Sequence, residues 1–473
     1  MIILFILCLK KKKKNESLEK ISDISSIRRV FELFDSNFFN DEKMLEIVKC
    51  AKKFNIPTIR ANRKLVGSVN GGLQDPSALI FPLSTKFNYP SLSGIYRPKN
   101  DDDIAFMTIS LTFHSCCYEI DIYQVLKLGE LIKSKQITSV ELTRIFIQRL
   151  KRYNPILEAV VTYTEELANQ QAKGADKLLA RGVYLCPLHG IPYGLKDIIS
   201  VPHYKTTWGS TTFKDQVLNT ETWFFAKLVT GLLAYDDIWF GGRTRNPWNI
   251  KEFTIGSSSG PAACTSAGMV SFAIGSETVG SMTLPASCCG VAALHLTFGF
   301  VGRTGIISLS KSLDPNDLSS RDILLEDHFL VDITKLTVRY VDDAEMEVVH
   351  VLESKGVNMV PFKLNYIVDS VQGIVNFTMD VDMLAHFDEW QRSRKDDDCE
   401  SQSQWPPELH RARIFPAVDH VQVFLIDSFS VDAFIGDATD WERVCMGNLV
   451  GMPVIVALAL AMAHQPVTDH HKK

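Results

Sequence analysis

From about residue 125 onward the apolar positions of the chain fall into a helical rhythm. Leu142, Ile145, Phe146, Arg149 and Leu150 recur at three- and four-residue spacing, which places them on one helix face. Thr138-Ser139-Val140-Glu141 precedes them with the form of a capping box. There the threonine hydroxyl accepts from a backbone N–H and the glutamate reaches back. Asn154-Pro155 is the predicted stop. A second helix is predicted from Thr164 to about Leu179, with Ala168, Ala172, Ala175 and Leu179 turned inward and Gly182 ending it. The apolar run Gly194 to Ile199 has the length of a buried strand, yet Lys196 lies inside it. Further on, Leu336 to Val341 reads as a strand, Ala344 to Leu352 as a helix and Val357 to Phe362 as another strand, a βαβ-like unit. The alternation predicts α/β layers and not an all-α bundle. Between Glu19 and Asp101 no strong period emerges, and residues 67–100 are rich in Gly, Pro and Ser.

Composition narrows the picture only at its edges. With 473 residues, 46% of them hydrophobic and 22% charged, the chain has the make-up of an ordinary globular protein able to bury a large core. A net charge of −5 argues against a nucleic-acid-binding face, which needs a basic excess. The ten cysteines include two adjacent pairs, Cys116-Cys117 and Cys288-Cys289, with no zinc-like spacing. That predicts reduced thiols in a cytoplasmic setting and no metal site. Residues 1–9 are apolar and five lysines follow them. Nine residues fall short of the roughly 20 that span a bilayer, and a secretory signal carries its charge before the apolar run. A weak membrane contact through residues 1–9 and an extension without function both stay open.

Three segments carry candidate chemistry. Lys196 in its apolar run is either a buried amine that loses its proton and becomes a base, or a side chain whose stem lies along the sheet while its amine reaches water or Asp197. The cluster Gly256-Ser257-Ser258-Ser259-Gly260 is either a plain turn or a loop of exposed backbone N–H groups. In the run Phe272 to Ser287, Ser281 follows Gly280 on a predicted tight bend. Such a bend exposes a hydroxyl beside N–H groups that point the same way, the parts of a nucleophile and an oxyanion hole. The competing reading is a surface turn. His189 and His295 sit in no motif that makes either a base and read as structural. A serine nucleophile would then need a lysine as its base.

Taken in order, these segments resemble the amidase signature family. Gly190-Ile191-Pro192-Tyr193-Gly194-Leu195-Lys196-Asp197 is similar to its lysine motif, and Asn246-Pro247-Trp248-Asn249 leading to Gly256–Gly260 is similar to its serine-rich core. Gly275 to Pro285, followed by Cys289-Gly290-Val291, resembles its nucleophile segment. The separation 281 − 257 = 24 also agrees. The resemblance implies an α/β amidase signature fold, with a mixed central β-sheet flanked by helices on both faces. It implies Lys196 as base, Ser257 as a bridging serine beside a cis peptide bond, and Ser281 as nucleophile. Backbone groups of Thr278, Val279, Gly280 and Ser281, with Ser258, would bind the oxyanion and substrate.

The implied activity is hydrolysis of a carboxamide C–N bond through an acyl-serine, without a cofactor, on a small-molecule amide. Two alternatives remain: the glutaminase-type component of a glutamyl-tRNA amidotransferase, which needs partner proteins, and a family member that binds without turning over. A homodimer is left open. The implied boundaries are an extension over 1–100, an amidase domain over 101–465 and a polar tail over 466–473. The chain also departs from the family pattern, in part by apparent shortening of the domain. Val279 stands where many relatives have glycine, a family helix and strand are missing between Phe225 and Leu233, and Leu111 to Tyr123 reads as an insertion.

Overall fold

The computed structural model describes residues 49, 52–53, 94–107, 111–114, 117–120, 124–218, 226–296, 332–341, 344, 346–363, 368–419, 433–435 and 454–456. The expectations for residues 1–9, for most of the extension and for the polar tail lie outside these residues. The first described helix, α1 (Asp101–Phe106), starts where Asn100 accepts from the Asp103 N–H at 2.7 Å, with three aspartates in its first turn, where the helix dipole favours negative charge. A hairpin of β1 (Leu111–His114) and β2 (Cys117–Ile120) occupies the segment read as an insertion. Helix α2 (Gln124–Lys133) leads to α3 (Ser139–Leu157).

Helix α3 departs from its prediction at both ends. Thr138 accepts from the Glu141 N–H at 3.0 Å, as a capping box requires, but the Glu141 carboxylate turns outward to an ion pair with Arg97. Pro155 does not end the helix, which runs on to Leu157. A proline near the last turn forfeits one backbone bond, and that turn is closed by Glu158, left-handed at φ 52°, whose N–H donates to Asn154 O at 2.8 Å. In α4 (Glu165–Ala180), Ala168 and Ala172 are buried as expected, whereas Ala175 and Leu179 are only half-buried.

The central sheet joins β3 (Val160–Tyr163), β4 (Gly194–Lys196), β5 (Ala226–Leu228) and β10 (Ala273–Ile274) in the order β10-β4-β5-β3. It is mixed: β10 and β5 run parallel to β4, and β3 is antiparallel to β5. Strand β4 is shorter than the apolar run because the Ile199 N–H turns back to Lys196 O at 3.0 Å. Strand β5 corrects the expectation of a missing sheet strand, for Ala226–Leu228 lies in the middle of the sheet. Two small hairpins follow β5, pairing β6 (Ile238–Trp239) with β7 (Gly242–Arg243) and β8 (Arg245–Asn246) with β9 (Asn249–Phe253).

Helices α5 (Ser259–Ser266) and α6 (Thr283–Cys289) flank β10 in sequence, and β11 (Ala293–His295) pairs with β15 (Val454–Val456). The expected βαβ unit is present as β12 (Thr337–Tyr340), α7 (Met346–Ser354) and β13 (Asn358–Pro361), with its strands parallel. β14 (Ala433–Ile435) adds to the other edge of β12. Helices α8 (Val368–Arg392) and α9 (Trp405–Ala412) pack on each other.

The core divides at the central sheet. Leu228, Ala226, Val160 and Ala263 join a cluster built with Leu142, Ile145 and Phe146 of α3. Leu195 belongs instead to a cluster with Met383, Phe387 and Trp390 of α8 and Trp405 of α9. Alternate strand residues point to opposite faces, so β4 sends Leu195 to one cluster and Lys196 toward the other.

Candidate active site

Lys196 is 0% exposed. Its amine lies 2.7 Å from Ser257 Oγ and 2.8 Å from Ser276 Oγ, both hydroxyls. Burial lowers its pKa from 10.5 to about 7, against the opposing pull of the Glu277 carboxylate, because a dry interior disfavours the ammonium form. Of the two readings of this lysine, the stem-along-the-sheet one fails at the amine: Asp197 is engaged by Lys227 at 2.7 Å.

Each of the three clustered serines has a different neighbourhood. Ser257 follows a cis peptide bond from Gly256, and its carbonyl accepts from the Gly231 N–H at 3.1 Å. A Cβ on Gly256 would come within 1.6 Å of Asp236 O, so only glycine lets the chain pass this close. Ser258 precedes α5. Its N–H donates to Ser281 O at 2.8 Å, and its hydroxyl donates to Ser276 O at 3.2 Å. The Ser258 N–H is thereby spent inside the protein, which removes it as a free donor of an anion-binding loop. Ser259 opens α5, and its buried hydroxyl has no hydrogen-bond partner among the described residues. The small residues serve close approach, since a Cβ on Gly260 would meet Val229 N at 2.3 Å.

Strand β10 brings the third segment in. Its register sets Ala273 beside Gly194 and Ile274 beside Leu195, so the chain leaving β10 passes Lys196 just as it reaches Ser276. Sequence reasoning missed Ser276. The signal available was a hydroxyl placed directly after a short apolar run in Phe272-Ala273-Ile274-Gly275-Ser276, but the register that aims it is tertiary. Glu277 then organises the bend: its carboxylate accepts from the N–H groups of Gly280, Met282 (2.7 Å) and Thr283 (2.9 Å). Gly280 itself is left-handed at φ 87°. Of the donors expected at the oxyanion position, the Gly280 N–H is therefore turned to Glu277, which leaves Thr278, Val279 and Ser281.

Ser281 lies at the end of this bend, half-buried. It is tied to the serine cluster through its carbonyl and the Ser258 N–H. Among the described residues its hydroxyl makes no hydrogen bond, to Ser257 or to any other group. Catalytic contacts of this kind often tighten only with substrate present. Val279 packs against the buried apolar cluster that includes Leu195, Met383 and Phe387, an apolar wall two residues from Ser281. His189 is structural as expected, its Nε2 lying 3.0 Å from Ala175 O. Cys264 and Cys289 are buried, and burial pushes both thiols well above their usual range, which makes them poor nucleophiles.

Comparison with known proteins bears on the family and the fold. Residues 141–333 match the family model described as Amidase. The chain is 33% identical over 220 residues to a glutamyl-tRNA(Gln) amidotransferase subunit of Thermoanaerobacter pseudethanolicus, covering 44% of each chain. It is 36% identical over 211 residues to the same-named protein of Geobacter metallireducens, covering 42% of this chain and 43% of the relative. The match thus spans less than half the length of these curated relatives. In fold, the chain is similar to the peptide amidase of Stenotrophomonas maltophilia (TM-score 0.56, 19% identity, 70% of this chain and 89% of the other). It is also similar to an amidase family protein of Bacillus anthracis (TM-score 0.59, 18% identity, 76% and 86%). Among the described residues no helix is long and apolar enough to cross a membrane.

Proposed function

We propose that this chain, whose residues 141–333 belong to the amidase signature family, is an amidase that hydrolyses a carboxamide C–N bond through an acyl-serine intermediate on Ser281. One observation carries the reading: a fully buried amine, brought to about pH 7 in its titration, whose hydrogen-bond partners are two serine hydroxyls. When neutral, Lys196 donates one N–H to Ser276, which turns its lone pair toward Ser257. Ser257 gives its proton to that lone pair and takes the Ser281 proton. The Ser281 oxygen attacks the amide carbonyl carbon, and the N–H groups of Thr278, Val279 and Ser281 receive the developing oxyanion, each worth on the order of 3 kcal/mol. The C–N bond breaks as the nitrogen takes a proton back along the relay, so ammonia or an amine leaves neutral. Water then attacks the acyl-serine by the same relay, releasing the carboxylic acid and restoring Ser281.

The substrate in this reading is a small-molecule amide, in a cytoplasmic protein that requires no nucleic acid; the reading depends neither on a homodimer nor on a membrane contact through residues 1–9. The test is a fluorophosphonate probe, which reacts with an activated serine, followed by mass spectrometry of the labelled peptide. A label on Ser281 that Ser281→Ala abolishes is the expected result. Folded protein that never labels would leave the binding-protein reading in its place. A second reading, glutamine hydrolysis within an amidotransferase, is favoured by the names of the curated relatives. Ammonia release from glutamine that begins only once partner proteins are added would select it.

A further inference from the structure

Two lysines lie on adjacent parallel strands at the centre of the sheet, each 0% exposed. Among the described residues only Lys227 has a carboxylate at contact distance. The register pairs Leu195 with Lys227 and Lys196 with Leu228, so the pleat sends the two amines to opposite faces. On the face of Leu195, Lys227 Nζ meets Asp197 Oδ1 at 2.7 Å and donates to Ile199 O and Thr206 Oγ1, both at 2.8 Å. The second oxygen of Asp197 accepts from the Thr207 N–H at 3.0 Å and from the Thr207 hydroxyl. The backbone of Asp197 is held as well: its N–H donates to Leu228 O at 2.9 Å, and its carbonyl accepts from the Trp208 N–H at 3.4 Å.

Asp197 is the covalent neighbour of Lys196. An unpaired carboxylate there, at a position shielded from solvent, would favour a proton on the Lys196 amine; an unpaired ammonium at residue 227 would disfavour one. Joined as a pair, their fields largely cancel. We infer that the Asp197–Lys227 ion pair is a positioning element for Lys196, pinning the end of β4 to β5 and cancelling the charge that would otherwise bias the protonation of the base. The inference rests on the reading of Lys196 as that base. Other charged groups near it are Glu277 on the bend and Asp237, which follows the Asp236 carbonyl against Gly256 and is paired to Arg243 at 2.6 Å. Neither is altered in the test.

The test is the pH dependence of fluorophosphonate labelling in the full-length chain. In wild type the labelling rate falls on the acid side as Lys196 gains a proton. Lys227→Met leaves Asp197 uncompensated and moves this acid limb to higher pH; Asp197→Asn leaves Lys227 uncompensated and moves it to lower pH. Each shift is on the order of one pH unit, the size of one charge acting across a strand at intermediate dielectric. The double variant, Asp197→Asn with Lys227→Met, restores the wild-type limb, and it avoids the unpaired buried charge that makes single removals so destabilising. Lys227→Gln keeps N–H donors for Ile199 and Thr206 without the charge, and moves the limb as Lys227→Met does should the latter not fold. A purely structural pair would alter rate or melting temperature and leave the limb in place. Limbs that coincide in every variant overturn the inference alone, whereas a wild-type profile with no acid limb overturns it together with the assignment of Lys196.

Discussion

Replacing Lys196 with methionine removes the titrating group while filling nearly the same volume, and the consequence for stability can be worked out without knowing the substrate. In the folded protein the amine titrates at about 7, against 10.5 when solvated. The unfolded chain therefore binds more protons than the folded one between those values, so stability rises with pH across that window. Below pH 7 both states are protonated and the dependence vanishes. From pH 7 to 9 the linkage amounts to about 2 kcal/mol, taking about 1.4 kcal/mol per pH unit and allowing for half-protonation at the lower end. Chemical denaturation of wild type and Lys196→Met at pH 7, 8 and 9 measures the difference directly. The wild type should gain this much relative to the variant as pH rises. A stability difference that stays flat from pH 7 to 9 would mean that the amine is charged in the folded state, and the proton relay through Ser257 would have no base.

Other perturbations test the remaining parts of the site. Ser281→Ala should abolish labelling yet leave stability within about 1 kcal/mol, since its hydroxyl makes no hydrogen bond among the described residues; equal labelling in the variant would remove Ser281 from the chemistry. Gly256→Ala should cost more than about 3 kcal/mol in a denaturation titration, because its methyl would overlap Asp236 O at 1.6 Å, and a variant of wild-type stability would refute the close approach. Glu277→Gln keeps the volume but replaces one accepting oxygen with an N–H donor. It should lose about 1–3 kcal/mol and, by removing the charge that raises the Lys196 pKa, move the acid limb of labelling to lower pH. A limb moved to higher pH would contradict that electrostatic role.

Local signals in the chain were enough for helices α3 and α4, for the βαβ unit and for the candidate segments of the site. The periodicity of Leu142 to Leu150, the Thr138 cap and the βαβ unit around residues 337–361 depend on neighbours a few positions away, and such interactions are written in the order of residues. Lys196 and Ser281 stand out locally, one in an apolar run and one after a glycine, whereas the choice of Ser257 within its cluster is what the family resemblance implies. What failed was whatever another element supplies. Glu141 is captured by Arg97, 44 residues distant; helix α3 outlasts Pro155; the Gly280 N–H answers to Glu277 and not to the space before Ser281. Ser276 enters the site only through the register of β10 on β4. Asp197, which local sequence offers as a partner for the lysine beside it, pairs across the strand with Lys227. Residue order can name a buried lysine, but whether its proton stays depends on which charges the sheet brings to each of its faces, and that is a property of the assembled layers alone.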